Sequence, residues 1–209
     1  MEVHLTVLKA AQTSVPIHPL LAQRWSPRGF DAEHQLDDQT VLVLLAAARW
    51  APSAANSQPW RFLVARRNEP AFAQLLAVLS PGNQPWAERA SALVLVAAEV
   101  VDEEGKTRPW AHYDTGQAVA ALSLQAEAIG LSAHQMGGFD VAAAARQFGL
   151  DAALSPVVVV ALGRRDEANP LPEPYAARET ASRARSPLSS LLLSSLLLAP
   201  ASGQTDQAA

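Results

Sequence analysis

Apolar residues recur along the chain with two different periods, and Pro- and Gly-containing turns divide them into short segments. Ala- and Leu-rich runs at helical spacing predict helices over Thr40–Trp50, Pro70–Leu79 and Val141–Phe148. A shorter helix is expected over Pro19–Trp25, closed by the turn residues Ser26-Pro27-Arg28-Gly29. Asp37-Asp38 stands where a helix N-terminus favours acidic groups, and Pro52 stops the helix that follows. Tyr113–Ile129 is long and largely apolar, which predicts a buried central helix ending at Gly130. Strands are predicted over Arg61–Ala65, Ser91–Val101 and Val157–Leu162, the last opening with four valines. Ser132–Met136 reads as a short extended run before Gly137-Gly138, with loops at 81–85, 102–109 and 164–174. Strands separated by helices imply an α+β or α/β class built on a central sheet.

A chain of 209 residues, 49% hydrophobic and 17% charged, has the length and composition of one globular domain with extensions. The residues before His18 read as an N-terminal extension, and those from 193 onward as a flexible C-terminal tail. The net charge of −4 argues against a nucleic-acid partner. The longest apolar block, Leu188–Ala199, is too short and too serine-rich to span a bilayer, so no membrane association and a cytoplasmic location are expected. The absence of cysteine removes disulfides, thiolate nucleophiles and Cys-held metals together. The five histidines have no close metal-ligand spacing, so redox chemistry here requires an organic cofactor and no metal is expected.

Four constellations could carry chemistry. Ala51-Pro52-Ser53-Ala54-Ala55-Asn56-Ser57-Gln58-Pro59-Trp60-Arg61-Phe62 joins a helix to a strand with more rigid, hydrogen-bonding material than a connector needs. Arg24-Trp25-Ser26-Pro27-Arg28 flanks a hydroxyl with two guanidiniums at a helix-to-turn transition, a pattern suited to an anion. Gln135-Met136-Gly137-Gly138 ends in paired glycines that let backbone approach a ligand. In Arg183-Ala184-Arg185, alternate residues of an extended segment face the same way. Each has a bland alternative: a solvated helix end, a rigid connector, an ordinary turn or a surface charge pair. Asp114 could form an acid/base dyad with a histidine, but its place at a helix start explains it more simply. No Gly-x-Gly-x-x-Gly, Walker loop or Gly-x-Ser-x-Gly elbow occurs.

Taken in order, these motifs resemble the nitroreductase family of FMN-dependent oxidoreductases. The resemblance rests on Arg24-x-Ser26-x-Arg28, the Ala51–Phe62 stretch, Asp114-x-Gly116 opening the long helix and Ile129-Gly130-Leu131 closing it. Gly137-Gly138, Leu162-Gly163 and Arg183-x-Arg185-x-Pro187-Leu188 complete the series, which covers residues 18–192. It implies an α+β fold with a central mixed sheet flanked by helices, in an obligate homodimer with two FMN sites at its interface. It further implies that Arg24, Trp25, Ser26 and Arg28 hold the flavin's phosphate and polar edge with Arg183 and Arg185. Pro52, Ser53, Ala54, Asn56 and Gln58 would come from the partner, and Gln135, Met136, Gly137 and Gly138 would run past the ring. NADH or NADPH would donate hydride in a ping-pong cycle, and a nitroaromatic, quinone or related small-molecule acceptor would take it up, with no side-chain catalyst. A flavin-fragmenting, dehalogenating or enone-reducing activity, and a flavin-binding role without turnover, remain open alternatives.

Overall fold

The computed structural model describes residues 9–166 and 171–193. The first eight residues, the middle of the 164–174 connector and the tail from 194 onward therefore lie outside the described residues.

Strand β1 (Trp60–Arg66) leads through α3 (Pro70–Val78) and the single turn α4 (Gln84–Ala87) into β2 (Ala92–Glu99). Helix α5 (Ala111–Ala128), β3 (Ser132–Met136), α6 (Val141–Gln147) and β4 (Leu154–Gly163) follow. Before β1 stand α1 (Pro19–Gln23) and α2 (Asp38–Arg49), and α7 (Tyr175–Thr180) follows β4. Two short elements were not expected: α4, which overlaps the loop placed at 81–85, and α7, which follows the 164–174 connector. The turn α4 has Pro85 in its first turn and buries Trp86, and α7 supplies a carboxylate that matters below.

The strand order is β1-β2-β4-β3, and all three pairings are antiparallel. The mixed pairing that the resemblance implies is thus not present among the described strands. Two connections account for this. Helices α3 and α4 bring the chain back to the end where β1 finishes, with the Arg67 amide donating to the Ser91 carbonyl at 3.0 Å, so β2 must run the other way. The α5 crossover joins β2 to β3, which share a direction, but β4 inserts between them and pairs antiparallel with both.

Residues of β2 are buried on both faces and alternate between two cores. Ala92, Val94 and Val96 pack with Val41 and Leu44 of α2 and Ala118, Val119 and Leu122 of α5. Leu93 and Leu95 pack instead with Phe72 and Leu75 of α3, Trp86 of α4 and Ala144 of α6. Three layers result, and β2 explains why an unbroken apolar run, not an alternating one, marked that strand.

Helix α5 is only half buried. Ala111, Asp114, Thr115, Ala118, Val119, Leu122, Ser123, Ala126 and Glu127 form one buried stripe. Tyr113, Gly116, Ala120 and Ala128 lie exposed on the opposite side. The fully buried central helix expected from its composition is therefore corrected for the single chain: its small and apolar residues cover two faces, and one of them is open.

Candidate functional site

Arg24 follows α1, and its guanidinium reaches the Ser26 hydroxyl at 3.4 Å. Glu127, near the C-terminal end of α5, is buried beside it. Burial lowers the Arg24 pKa, Glu127 raises it again, and Arg185 lowers it further. Arg183 shows the same pattern, with burial first and then repulsion from Arg24 and Arg185, opposed by Glu127. Three guanidiniums thus converge at one end of α5 from opposite ends of the chain. None of the three forms a carboxylate ion pair within 4.0 Å among the described residues, whereas Arg28, Arg61, Arg66, Arg89, Arg108 and Arg164 do. A cluster of like charges of this kind can attract an anion.

The segment carrying Arg24–Arg28 is fastened from three sides. The Glu179 carboxylate of α7 accepts from the Arg28 amide at 2.9 Å and the Gly29 amide at 3.4 Å. Beyond it, Asp31 donates to the Arg164 carbonyl and Asp166 to the Gly29 carbonyl, extending the end of β4. On the third side, His134 of β3 bonds the Pro27 carbonyl through Nδ1 at 2.9 Å.

The helix-to-strand loop is strained as well as polar. Ala55, Asn56 and Gln58 have φ of 51°, 55° and 46°, three left-handed non-glycine residues within four positions. Each such residue costs about 1 kcal/mol or more, and strain of this kind collects at ligand-contacting segments. The loop is held by Asp114, whose Oδ2 accepts from the Ala54 amide at 3.0 Å, and by Arg108, which donates to the Ser57 carbonyl at 3.2 Å. Pro52, Ser53 and Ala54 line a cleft of about 280 Å³ with Trp110, Tyr113, Asp114 and Gln117. Trp110 and Tyr113 stand edge to face at 6.4 Å and are 61% and 66% exposed.

Comparison with known proteins fits this layout. The family model described as the nitroreductase family matches residues 21–164, from α1 to the end of β4. The chain belongs to the nitroreductase family. The protein DrgA of Synechocystis is 31% identical over 200 residues, covering 81% of this chain and 91% of DrgA. A Streptomyces coelicolor relative, provisionally named an NADH dehydrogenase/NAD(P)H nitroreductase, is 30% identical over 63% of this chain and 75% of its own. Among solved structures, an oxidoreductase containing FMN superposes with a TM-score of 0.77 at 34% identity, covering 83% of this chain and 89% of that one. A Desulfovibrio desulfuricans protein solved in complex with FMN superposes at 0.68 with 30% identity, over 86% and 98% of the two chains.

Within this nitroreductase fold the sequence-predicted residues fall into two groups. Arg24, Arg183 and Arg185 come together near Glu127 of α5 with Ser26 against Arg24, Gln135 donates to the Ser123 hydroxyl of the same helix at 3.0 Å, and the adjoining Trp25 and Arg28 face Lys9 and Glu179. Pro52, Ser53, Ala54, Asn56 and Gln58 lie at the other end of the helix. Thirteen residues separate Asp114 from Glu127, which is about 20 Å of helix.

Several of these residues are also engaged within the chain. Met136 is buried in the second core, so its side chain packs against the sheet and only its backbone is left to face a ligand. Gly138 is tight against the 80–83 turn. A Cβ there would lie 3.0 Å from the Ser80 hydroxyl, and its carbonyl accepts from the Ser80 amide and Asn83 Nδ2. Gln58 spends its side chain on the Asn56 carbonyl, and the Ser53 hydroxyl accepts from the Gln58 amide; the Asn56 side chain makes no hydrogen bond among the described residues. Arg183 uses one guanidinium nitrogen on the Lys9 and Ala22 carbonyls at 2.8 and 2.7 Å, which makes it a clasp between chain ends as well as a charge. Asp114 takes the Ala54 amide, as its place at a helix start and not an acid/base dyad would have it, and the neighbouring His112 bonds the Ser155 hydroxyl at 3.0 Å.

Four site residues escaped the sequence reading. Lys9 lies over the Trp25 ring at 4.4 Å, and Glu127, His134 and Glu179 hold or offset the arginines. A glutamate in the last turn of a helix, where the dipole disfavours it, was the one available signal for Glu127. Among the described residues no helix is long and apolar enough to cross a membrane, and no cluster of three metal-ligating side chains occurs.

Proposed function

We propose that this nitroreductase-family protein binds FMN and uses NADH or NADPH to reduce a small-molecule acceptor such as a nitroaromatic or a quinone. The observation that carries the reading is the group of Arg24, Arg183 and Arg185, none of them in a carboxylate ion pair within 4.0 Å among the described residues, a fit for the dianionic flavin phosphate. Bound FMN would supply a two-electron relay between pyridine nucleotide and acceptor, in ping-pong order. The chain's own contribution is then binding and orientation. Arg24 and Arg185 hold the phosphate end, Trp25, Ser26 and Arg28 the adjoining polar groups, and the β3 exit, where Gln135 and Gly137 are exposed, offers backbone donors toward the ring.

The loop at Pro52–Gln58 cannot serve the same end of the same subunit, because α5 separates it from the arginines by about 20 Å. We assign it to the flavin of a second copy, which makes a homodimer part of the proposal. The open stripe of α5, with Tyr113, Gly116, Ala120 and Ala128, supports that assembly, since an amphipathic helix leaves a small, apolar face bare only where something covers it. Residues 18–192 would form the FMN domain, working in the cytoplasm, where NAD(P)H is generated.

The test is the visible spectrum of the purified protein, followed by stopped-flow bleaching with NADH and NADPH and an acceptor panel scored by kcat/KM. Flavin absorbance that bleaches with either nucleotide and recovers with an acceptor supports the reading. A colourless protein that fails to take up added FMN refutes it.

A further inference from the structure

Resting on that FMN reading, we propose that His134 is a positioning residue that locks the Arg24–Arg28 segment onto β3 and so couples phosphate binding to the strand that leads to the flavin ring. The ring stands on β3, an edge strand of the sheet, with 8% exposure, and its Nδ1 lies 2.9 Å from the Pro27 carbonyl. It packs on Trp86 with ring centroids 4.4 Å apart, and the Arg28 guanidinium lies 5.9 Å from the same indole. One imidazole therefore touches the phosphate segment through its backbone and shares a platform with one of that segment's arginines. Its own backbone runs directly into Gln135, Met136 and the two glycines.

The chemistry of the contact is determined by its partners. A carbonyl only accepts, so the proton sits on Nδ1. Burial pushes the His134 pKa down to about 4, against the pull of the Pro27 and Ser26 backbones, while Arg28 and Arg24 lower it further. The ring is therefore neutral at pH 7, and it adds no positive charge to a cluster that already repels itself. A lysine or arginine could supply the donor but not the neutrality, and an apolar ring could fill the space but not the donor.

Hydrogen exchange on the FMN-free protein, paired with fluorescence titration of FMN and of riboflavin, tests this in wild type, His134→Phe and His134→Asn. The Phe variant keeps the stacking volume and loses the donor. Its amides at Arg28 and Gly29 should exchange on the order of tenfold faster, the scale set by one buried hydrogen bond. Its FMN affinity should fall by a similar factor while riboflavin, which lacks the phosphate, loses less. The Asn variant places its amide donor where Nδ1 stands and should recover most of both. Unchanged exchange at Arg28 and Gly29 in the Phe variant, or equal losses for FMN and riboflavin, would overturn the proposal. If the Phe variant does not fold, His134→Gln decides, because its donor sits at the Nε2 position: Gln weaker than Asn supports the coupling, and Gln equal to Asn overturns it. If wild type binds no FMN, the function reading fails by itself, and the exchange arm still decides the role of His134.

Discussion

Replacing Arg24 by Met keeps the apolar stem beside Trp25 and removes one charge from the cluster at the end of α5. Arg24 spends only a 3.4 Å contact on Ser26, so its donors are available to an anion. A hydrogen bond to a charged group contributes about 1.5–3 kcal/mol, which is roughly 10- to 150-fold in Kd. One term pulls against that figure: removing Arg24 relieves its repulsion with Arg183 and Arg185. The lower half of the range, about 10- to 30-fold weaker FMN binding, is therefore expected. The assay is quenching of flavin fluorescence on titration with FMN-free protein, repeated with riboflavin and at rising salt. The loss should be confined to FMN, and the salt dependence of FMN affinity should flatten. Unaltered FMN affinity, or an equal loss for riboflavin, would show that Arg24 does not face the phosphate.

Further expectations concern charge, packing and pH. Glu127→Gln should tighten FMN binding, because the arginines lose their internal counter-charge; titration by the same fluorescence assay checks this, and weaker binding would mean the carboxylate positions the arginines instead. Gly163→Ala should destabilise by about 1–3 kcal/mol in urea unfolding, since the new methyl would lie 2.9 Å from Phe30 and 3.2 Å from the Ser91 amide nitrogen. Gly116→Ala in α5 meets nothing within 4 Å in the single chain and should stabilise by about 0.5–1 kcal/mol; a weakened dimer in sedimentation velocity would place the partner against that face. His134 has a depressed pKa, so the unfolded chain binds its proton first. Stability should fall by about 3 kcal/mol as pH drops from 6.5 toward 4, and His134→Asn should flatten that limb of the acid-denaturation curve.

Local physics carried much of the fold into the sequence. The strands β1, β2 and β4 were legible because apolar runs bounded by turns have few other uses, and Asp37 marked the start of α2 through the cap it makes to the Thr40 amide at 2.7 Å. Single turns were not legible: α4 and α7 are too short for a period to show, and their side chains, Trp86 and Glu179, act only through distant partners. The loop at Pro52–Gln58 stood out from its composition, yet its positive φ values and its tether to Asp114 depend on a helix sixty residues away.

By itself, then, the sequence determined the layer class, the positions of the main elements and which arginines are candidates for an anion site, because these follow from short-range patterning and side-chain chemistry. Only the tertiary structure decided that β4 enters between β2 and β3 and that Arg24 and Arg183 lie near a buried Glu127, with Arg185 beside them. It also decided that Met136 belongs to the core and that the strained loop lies at the far end of α5. Each of these depends on contacts between segments remote in the chain, whose geometry no local pattern encodes.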